Sequence, residues 1–401
     1  MKRNRWLIAL ATVLIHLSAG SIYAYSVLVN PIIQSCGFGL TETTFIFSVA
    51  IFALGTAASL WGKYVDKYGA KRIGLIATVL FCSGWFGSAL ALHLNSIVLL
   101  YIMFYVLGTG IGLLYICPVS TLVKYFPKRI GFCCSIAIFG FGMGSVLASA
   151  LMGYFVDVYG LIYNFIILGI VYGIVLIPSC LYLAPPSNAV VEKILHNDPD
   201  IKPKDVYKTW QFKALCFTFL GNITCGIGIL SLLSPMLQAN FAFNAMQASV
   251  FVAVCGLANG VGRFFWATLS DTITRPVTYV IFALLGAVSY WSIAITSNLY
   301  IFEICTIIII SMYGGFFSAL PPYLSDLFGR RYLSTIHGKA LQMWAIAGVL
   351  GPIMLALCKE LTNSYTPVMY IFVMIMLINL YILQKLKQDT FKRKSIFNDI
   401  E

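Results

Sequence analysis

Runs of about twenty apolar residues, each closed by a short polar knot, follow one another through almost the whole chain. A helix of that length crosses the hydrocarbon core of a bilayer. The pattern therefore predicts an all-α membrane protein of twelve spans. The first six are expected near residues 6–30, 43–63, 73–93, 97–122, 131–155 and 160–183. The second six are expected near 212–237, 245–268, 276–296, 299–323, 338–358 and 365–386. The longest polar stretch, Ala184 to Lys213, is rich in Pro, Asp and Lys and reads as a linker. It sets an N-terminal bundle over 1–183, a linker over 184–211, a C-terminal bundle over 212–386 and a tail over 387–401.

Composition supports the same class. Of 401 residues, 60% are hydrophobic and 10% charged, with a mean hydropathy of +0.89. A soluble domain carries about 25% charged residues, so this chain lacks the polar surface to face water. The net charge of +12 would suggest nucleic acid, but the basic residues cluster at span ends, where they act as topology signals. Lys2, Arg3 and Arg5 precede the first span, Lys63, Lys67, Lys71 and Arg72 follow the second, and Lys124, Lys128 and Arg129 follow the fourth. The linker, Arg275, Arg330, Arg331 and the tail continue on that side, while Lys359 falls on the other. Both termini and the linker are therefore expected in the cytoplasm, with the chain in a bacterial inner membrane. The N-terminal apolar run continues through Ile33 and reads as a retained first helix rather than a leader. The eleven Cys are scattered, apart from Cys133 and Cys134, in no metal-ligand spacing; they read as small apolar helix residues.

The knot "GKYVDKYGAKR", Gly62 to Arg72, carries five charges between two spans. Positive charge alone would fix topology. Asp66 adds something else, because an anion at a helix end opposes the helix dipole and calls for a cation or another helix's N-terminus. Gly62 and Gly69 allow close approach and a tight turn, and Lys67, Lys71 and Arg72 offer partners. The knot reads as a latch that releases when two halves rock. The second half echoes the first. Asp66 in "GKYVD" and Asp271 in "ATLSD" lie 205 positions apart, while Tyr125 in "YFPKR" and Leu327 in "LFGRR" lie 202 apart. Duplicated six-span halves around a midplane site are a transporter architecture.

On these residues the chain resembles the major facilitator superfamily, whose loop motif is Gly-x-x-x-Asp-Arg/Lys-x-Gly-x-Arg/Lys. "GRFFWATLSD" is similar to its degenerate second copy, with Ala267 where the first copy has Gly62. Four stretches, "NRWLIALATVLIHLSAGSIYAYSVLVNPI", "ANGVGRFFWATLSD", "YGGFFSALPPYLSDLFG" and "STIHGKALQMWAIAGVLGP", resemble the oxalate/formate antiporter family in the same order. The resemblance implies the major facilitator fold, two pseudo-symmetric six-helix bundles, and transport of carboxylates. It implies gating roles for Gly62, Asp66, Lys67, Gly69, Arg72 and Asp271.

Charge inside a span marks a candidate site. Arg263 lies eight residues before Asp271, about 12 Å up the helix. At helical spacing Gly256, Asn259, Gly260, Ala267 and Ser270 share its face, while Val254, Val261 and Phe265 lie opposite. A guanidinium in a low-dielectric cavity binds a carboxylate through two parallel hydrogen bonds. The resemblance agrees, since the family's oxalate transporter uses an arginine in this span. The alternative is a structural Arg held by a carbonyl or a buried acid. The same transporter carries a lysine in span eleven where this chain has Trp344, with Lys339 nearer the cytoplasmic mouth. One buried cation in place of two favours a monocarboxylate, or a carboxylate moving with a proton, over oxalate. Thr12, His16, Ala19, Gly20, Tyr23 and Asn30 share a face of span one, with Tyr25 opposite. His16 is a candidate proton carrier or a neutral hydrogen-bonding residue between helices, and Tyr23 a cavity hydroxyl. Tyr313, beside Gly314 and Gly315 and ahead of Pro321 and Pro322, marks a bent span near the cavity. Trp344 reads as an aromatic wall or as packing.

No phosphate-binding loop and no catalytic signature of a hydrolase or metalloprotease is present, so an ATPase or a membrane enzyme is not expected. The reading is a secondary transporter of small organic anions working by exchange, without cofactor or metal, as a monomer. Its partners are the anion, a proton as candidate co-substrate, and the bilayer. Proton-coupled symport of a pyruvate- or lactate-like acid is the alternative, and a transporter-derived sensor a third.

Overall fold

The computed structural model describes residues 4–125, 130–184, 201–329 and 332–398. Lys2, Arg3, Lys128, Arg129, Arg330, Arg331, most of the linker and the end of the tail lie outside them. So do the side chains of Gly62, Lys63, Asp66, Lys124, Cys133 and Cys134.

Asn4 starts the first helix by accepting the Trp6 N–H on its side-chain oxygen at 2.9 Å. Helix α1 (Arg5–Ala19) passes through a 3-10 turn (Gly20–Ala24) into α2 (Ser26–Cys36). Five long helices follow: α3 (Leu40–Tyr68), α4 (Ala70–His93), α5 (Ile97–Tyr125), α6 (Ile130–Tyr159) and α7 (Leu161–Tyr182). A single turn, α8 (Pro203–Val206), leads into α9 (Trp210–Phe241), α10 (Ala245–Ile273), α11 (Arg275–Ile295) and α12 (Leu299–Phe328). The short α13 (Leu333–Ala340) feeds α14 (Gln342–Thr362), and α15 (Thr366–Asn398) is last. The described residues contain twelve crossings long and apolar enough for a membrane, and no strand.

Two crossings differ from the straight helices that apolar length predicts. The first runs on past 30 to Cys36 and is interrupted at the 3-10 turn. The turn packs closely on α6: a Cβ on Gly20 would collide with the backbone of Phe141. The eleventh starts at Leu333 rather than 338 and is broken at Leu341.

The two halves repeat the same neighbours six crossings apart. α3 packs on α5 as α10 packs on α12, α4 on α7 as α11 on α15, and α1 on α6 as α9 on α14. The halves meet along α6 against α10 and α3 against α14. Glycines set those approaches: a Cβ on Gly256 would strike Ser145, and one on Gly55 would strike Ala345. Val254, Val261 and Phe265 are exposed on the outer face of α10, while Gly256, Asn259, Gly260, Arg263 and Ser270 are buried.

The repeat extends to the backbone of the loop knot. Gly69 joins α3 to α4 at φ 84°, ψ 146°, and Thr274 joins α10 to α11 at φ 74°, ψ 149°. A region that glycine visits freely is occupied in the second copy by a β-branched residue, at a strain of about 1–3 kcal/mol. Arg275, the next residue, ties three helix ends together across this turn. Its Nη2 donates to Asp271 at 2.6 Å, its Nη1 to the Ser270 hydroxyl at 2.7 Å, and its Nε lies 3.2 Å from Asp326. Thr274→Gly is expected to raise the melting temperature of the detergent-solubilised protein, and Gly69→Thr to lower it.

Candidate functional site

Arg263 and Asn259 stand one turn apart on the buried face of α10, and the Arg263 Nε donates to the Asn259 Oδ1 at 3.1 Å. Only the amide oxygen accepts, so this bond fixes the orientation of Asn259 and turns its NH2 outward from the pair. The guanidinium reaches into the interface between the halves. It fits because both helices it passes offer glycine: a Cβ on Gly142 of α6 would lie 2.9 Å from Arg263 Nε, and one on Gly314 of α12 would lie 3.2 Å from Arg263 Cγ. Phe317, one turn beyond Tyr313, places its ring centre 5.5 Å from the guanidinium carbon as a cation–π partner.

The 3-10 turn carries Tyr23 to the same place. Its hydroxyl pairs with that of Tyr313 at 2.9 Å, joining the two halves in the buried interior. Trp344 closes the other side, with ring centres 4.7 Å from Phe317, 5.9 Å from Phe141 and 5.8 Å from Tyr115. Its indole N–H is buried and has no hydrogen-bond partner among the described residues.

Arg263 is 1% exposed, and none of the described acids forms an ion pair with it. Its Nη1, the Asn259 Nδ2 and the Trp344 Nε1 are buried donors without an acceptor. Such groups are ordinarily satisfied, and leaving them unmade is costly. A cluster with donors in excess and a lone cation has the chemistry to take an anion with several acceptor oxygens.

The candidates from sequence therefore fall into groups. Arg263, Asn259, Tyr23, Tyr313 and Trp344 converge. His16 lies behind them, with Nδ1 at 2.5 Å from the Ala137 carbonyl, Nε2 at 3.0 Å from the Tyr115 carbonyl, and its ring against Phe141. Tyr25, opposite Tyr23, is also buried and donates to the Thr43 carbonyl at 2.6 Å. Gly69, Lys67, Arg72 and Asp271 lie near the membrane end that carries the termini, remote from Arg263; Lys67 rests on the Tyr68 ring at 5.2 Å, and Asp271 binds Arg275. The side chain of Asp66 lies outside the described part. Sequence reasoning missed Phe317, Phe141 and the place of Gly142 beside Arg263, although the glycines of "FGFGMG" read as a close-packing seam. Phe317 was reachable from Tyr313 by helical spacing; the other two needed the register between halves.

The sequence profile of the Major Facilitator Superfamily matches residues 8–352. The chain belongs to that superfamily. It is 25% identical to the MFS-type transporter YhjX of Escherichia coli (strain K12), over 84% of each chain. It is 24% identical to the oxalate:formate antiporter of Oxalobacter formigenes, covering 87% of this chain and 83% of that one. Identity to the sialic acid transporter NanX of E. coli is 22%, over 79% and 78%. Among solved structures, a bacterial homologue of the human lysosomal transporter Spinster, inward-facing and occupied, superposes with a TM-score of 0.75 over 97% of this chain and 98% of that chain, at 16% identity. That likeness shows the fold. As a member of this superfamily the chain is a multi-pass membrane transporter and not an enzyme.

The close fit at Gly142 gives a test of the site's packing. Gly142→Ala is expected to cost about 1–3 kcal/mol, read as a lower melting temperature. Gly173→Ala, whose Cβ would meet only the Cys82 sulfur at 3.7 Å, is expected to leave it unchanged.

Proposed function

We propose that this transporter carries small organic anions, mono- or dicarboxylates, by alternating access and exchange. The observation that carries the reading is the buried, unpaired Arg263 with its excess of neighbouring donors. The oxalate:formate antiporter and the sialic acid transporter among its relatives are named for anions, which supports the same class. An empty carrier would have to reorient with an uncompensated charge in its interior, which resists the swing. A bound carboxylate neutralises the guanidinium, caps the spare N–H groups and permits it. Exchange follows, because each crossing then needs cargo. In this reading the bundles over 1–183 and 212–386 rock about the linker over 184–211, the carrier works as a monomer, and the termini lie in the cytoplasm of a bacterial inner membrane.

Counterflow in proteoliposomes with a panel of mono- and dicarboxylates tests this. Arg263→Ala should abolish counterflow. Arg263→Lys, which keeps charge but loses the bidentate fork, should weaken it about ten- to hundred-fold. Undiminished carboxylate counterflow in Arg263→Ala would remove the anchor.

One observation favours a second reading, proton-coupled symport. Both ring nitrogens of His16 face backbone carbonyls, Ala137 in α6 and Tyr115 in α5. A neutral imidazole has one N–H for these two acceptors, and the imidazolium has two. A proton on His16 would then strengthen, and be strengthened by, an anion at Arg263. Uptake driven by an imposed pH gradient without internal counter-substrate, lost in His16→Gln, is the expected signature; uptake that depends only on internal anion returns the carrier to strict exchange.

A further inference from the structure

On the face opposite the termini, a single carboxylate spans the two halves. Glu360 stands in the last turn of α14, where a negative charge opposes the dipole of its own helix. Its Oε1 accepts the backbone N–H of Thr41 at 2.8 Å, and its Oε2 accepts the Thr41 hydroxyl at 2.6 Å. Thr41 belongs to the first turn of α3, whose N–H groups have no carbonyl partner within their own helix. Glu42 in the same turn bends back to the Gly39 N–H at 2.9 Å, so the cap that reaches Thr41 comes from the other half. The neighbouring Lys359 is directed elsewhere: it donates to the Asn363 carbonyl at 2.8 Å and lies 5.1 Å from the Tyr365 ring centre. Glu360 thus destabilises the helix that bears it and is compensated by the dipole of a helix in the opposing bundle.

We propose that Glu360 and Thr41 form a latch that holds this face closed, and that opening toward it requires the pair to separate. Below the latch, α3 and α14 meet at glycines, Gly55 on Ala345 and Gly348 on Ile51. The exposed position of Glu360 makes the bond reversible, because water replaces Thr41 on opening and an exposed charged contact is worth about 1 kcal/mol. The latch rests on the alternating-access part of the proposed function and not on the nature of the cargo.

Hydrogen–deuterium exchange of the full-length protein in nanodiscs, without substrate, tests it. Glu360→Ala should raise amide exchange at both ends of the latch, residues 39–45 and 352–362, by about five-fold, the equivalent of about 1 kcal/mol. It should also lower exchange on the opposite face, in residues 201–215 and 332–341, because closing there accompanies opening here. Thr41→Val removes one of the two bonds and should give a smaller change. The double variant should match Glu360→Ala alone. Lys359→Gln, next to the latch but outside it, should leave α3 unaffected. Unchanged exchange at residues 39–45 in Glu360→Ala, additive effects in the double variant, or a response confined to the latch face with none on the opposite face would overturn the latch. None of these outcomes depends on carboxylate counterflow, so the latch and the anion site fail separately.

Discussion

An arginine that is buried in a membrane-spanning bundle, without a counter-ion among the described residues, is the constraint on which the rest of this structure depends. Charge at that depth is expensive, and the protein spreads the cost over several devices without cancelling it. Asn259 takes one N–H, Phe317 offers the face of a ring, and Gly142 and Gly314 leave room for the side chain to pass between helices of different halves. None of these supplies a negative charge. The surroundings add more donors: the amide of Asn259 and the indole of Trp344. A purely structural arginine would be expected to draw acceptors around itself. This one has unpartnered buried donors for neighbours, the feature on which the proposed anion site rests.

The halves that frame this site carry charged side-chain contacts of different kinds at their two ends. At the end bearing the termini, Arg275 gathers Ser270, Asp271 and Asp326 from α10 and α12, all within one half. At the other end, Glu360 of α14 reaches Thr41 of α3, across the halves. Contacts of the first kind stiffen a bundle and survive a rigid-body swing. Contacts of the second kind oppose the swing and are broken by it. Between them the seams of α6 with α10 and α3 with α14 close on glycines, which suits surfaces that tilt against each other.

Much of this was legible in the sequence, for reasons that are themselves physical. Span length is dictated by bilayer thickness, so the twelve crossings could be counted. The inward face of α10 could be read because helical periodicity alone separates Asn259 and Arg263 from Val261 and Phe265. What could not be read depends on register between segments far apart in the chain. Gly142 as a slot for Arg263, Phe141 as a floor beneath Tyr23, and Thr41 as a cap for Glu360 all require knowing which turn of one helix faces which turn of another. The close approach at Gly20 belongs to the same class, since it is made against the backbone of α6. Thr274 escaped notice for another reason: it occupies the place of Gly69 in the repeat, and nothing in a threonine announces a positive φ.

The interrupted first crossing divides its allegiance between the two halves. α1 packs mainly on α6 of its own half, whereas α2 packs chiefly on α9 of the other. One continuous segment is thereby anchored at its two ends to different halves, so a twist between them would accumulate in the short 3-10 turn. Tyr23 sits on that turn, like a pointer fixed to a torsion joint. Any rotation of the halves is transmitted to the hydroxyl that meets Tyr313 across them, which makes the joint a mechanical gauge of how the halves stand.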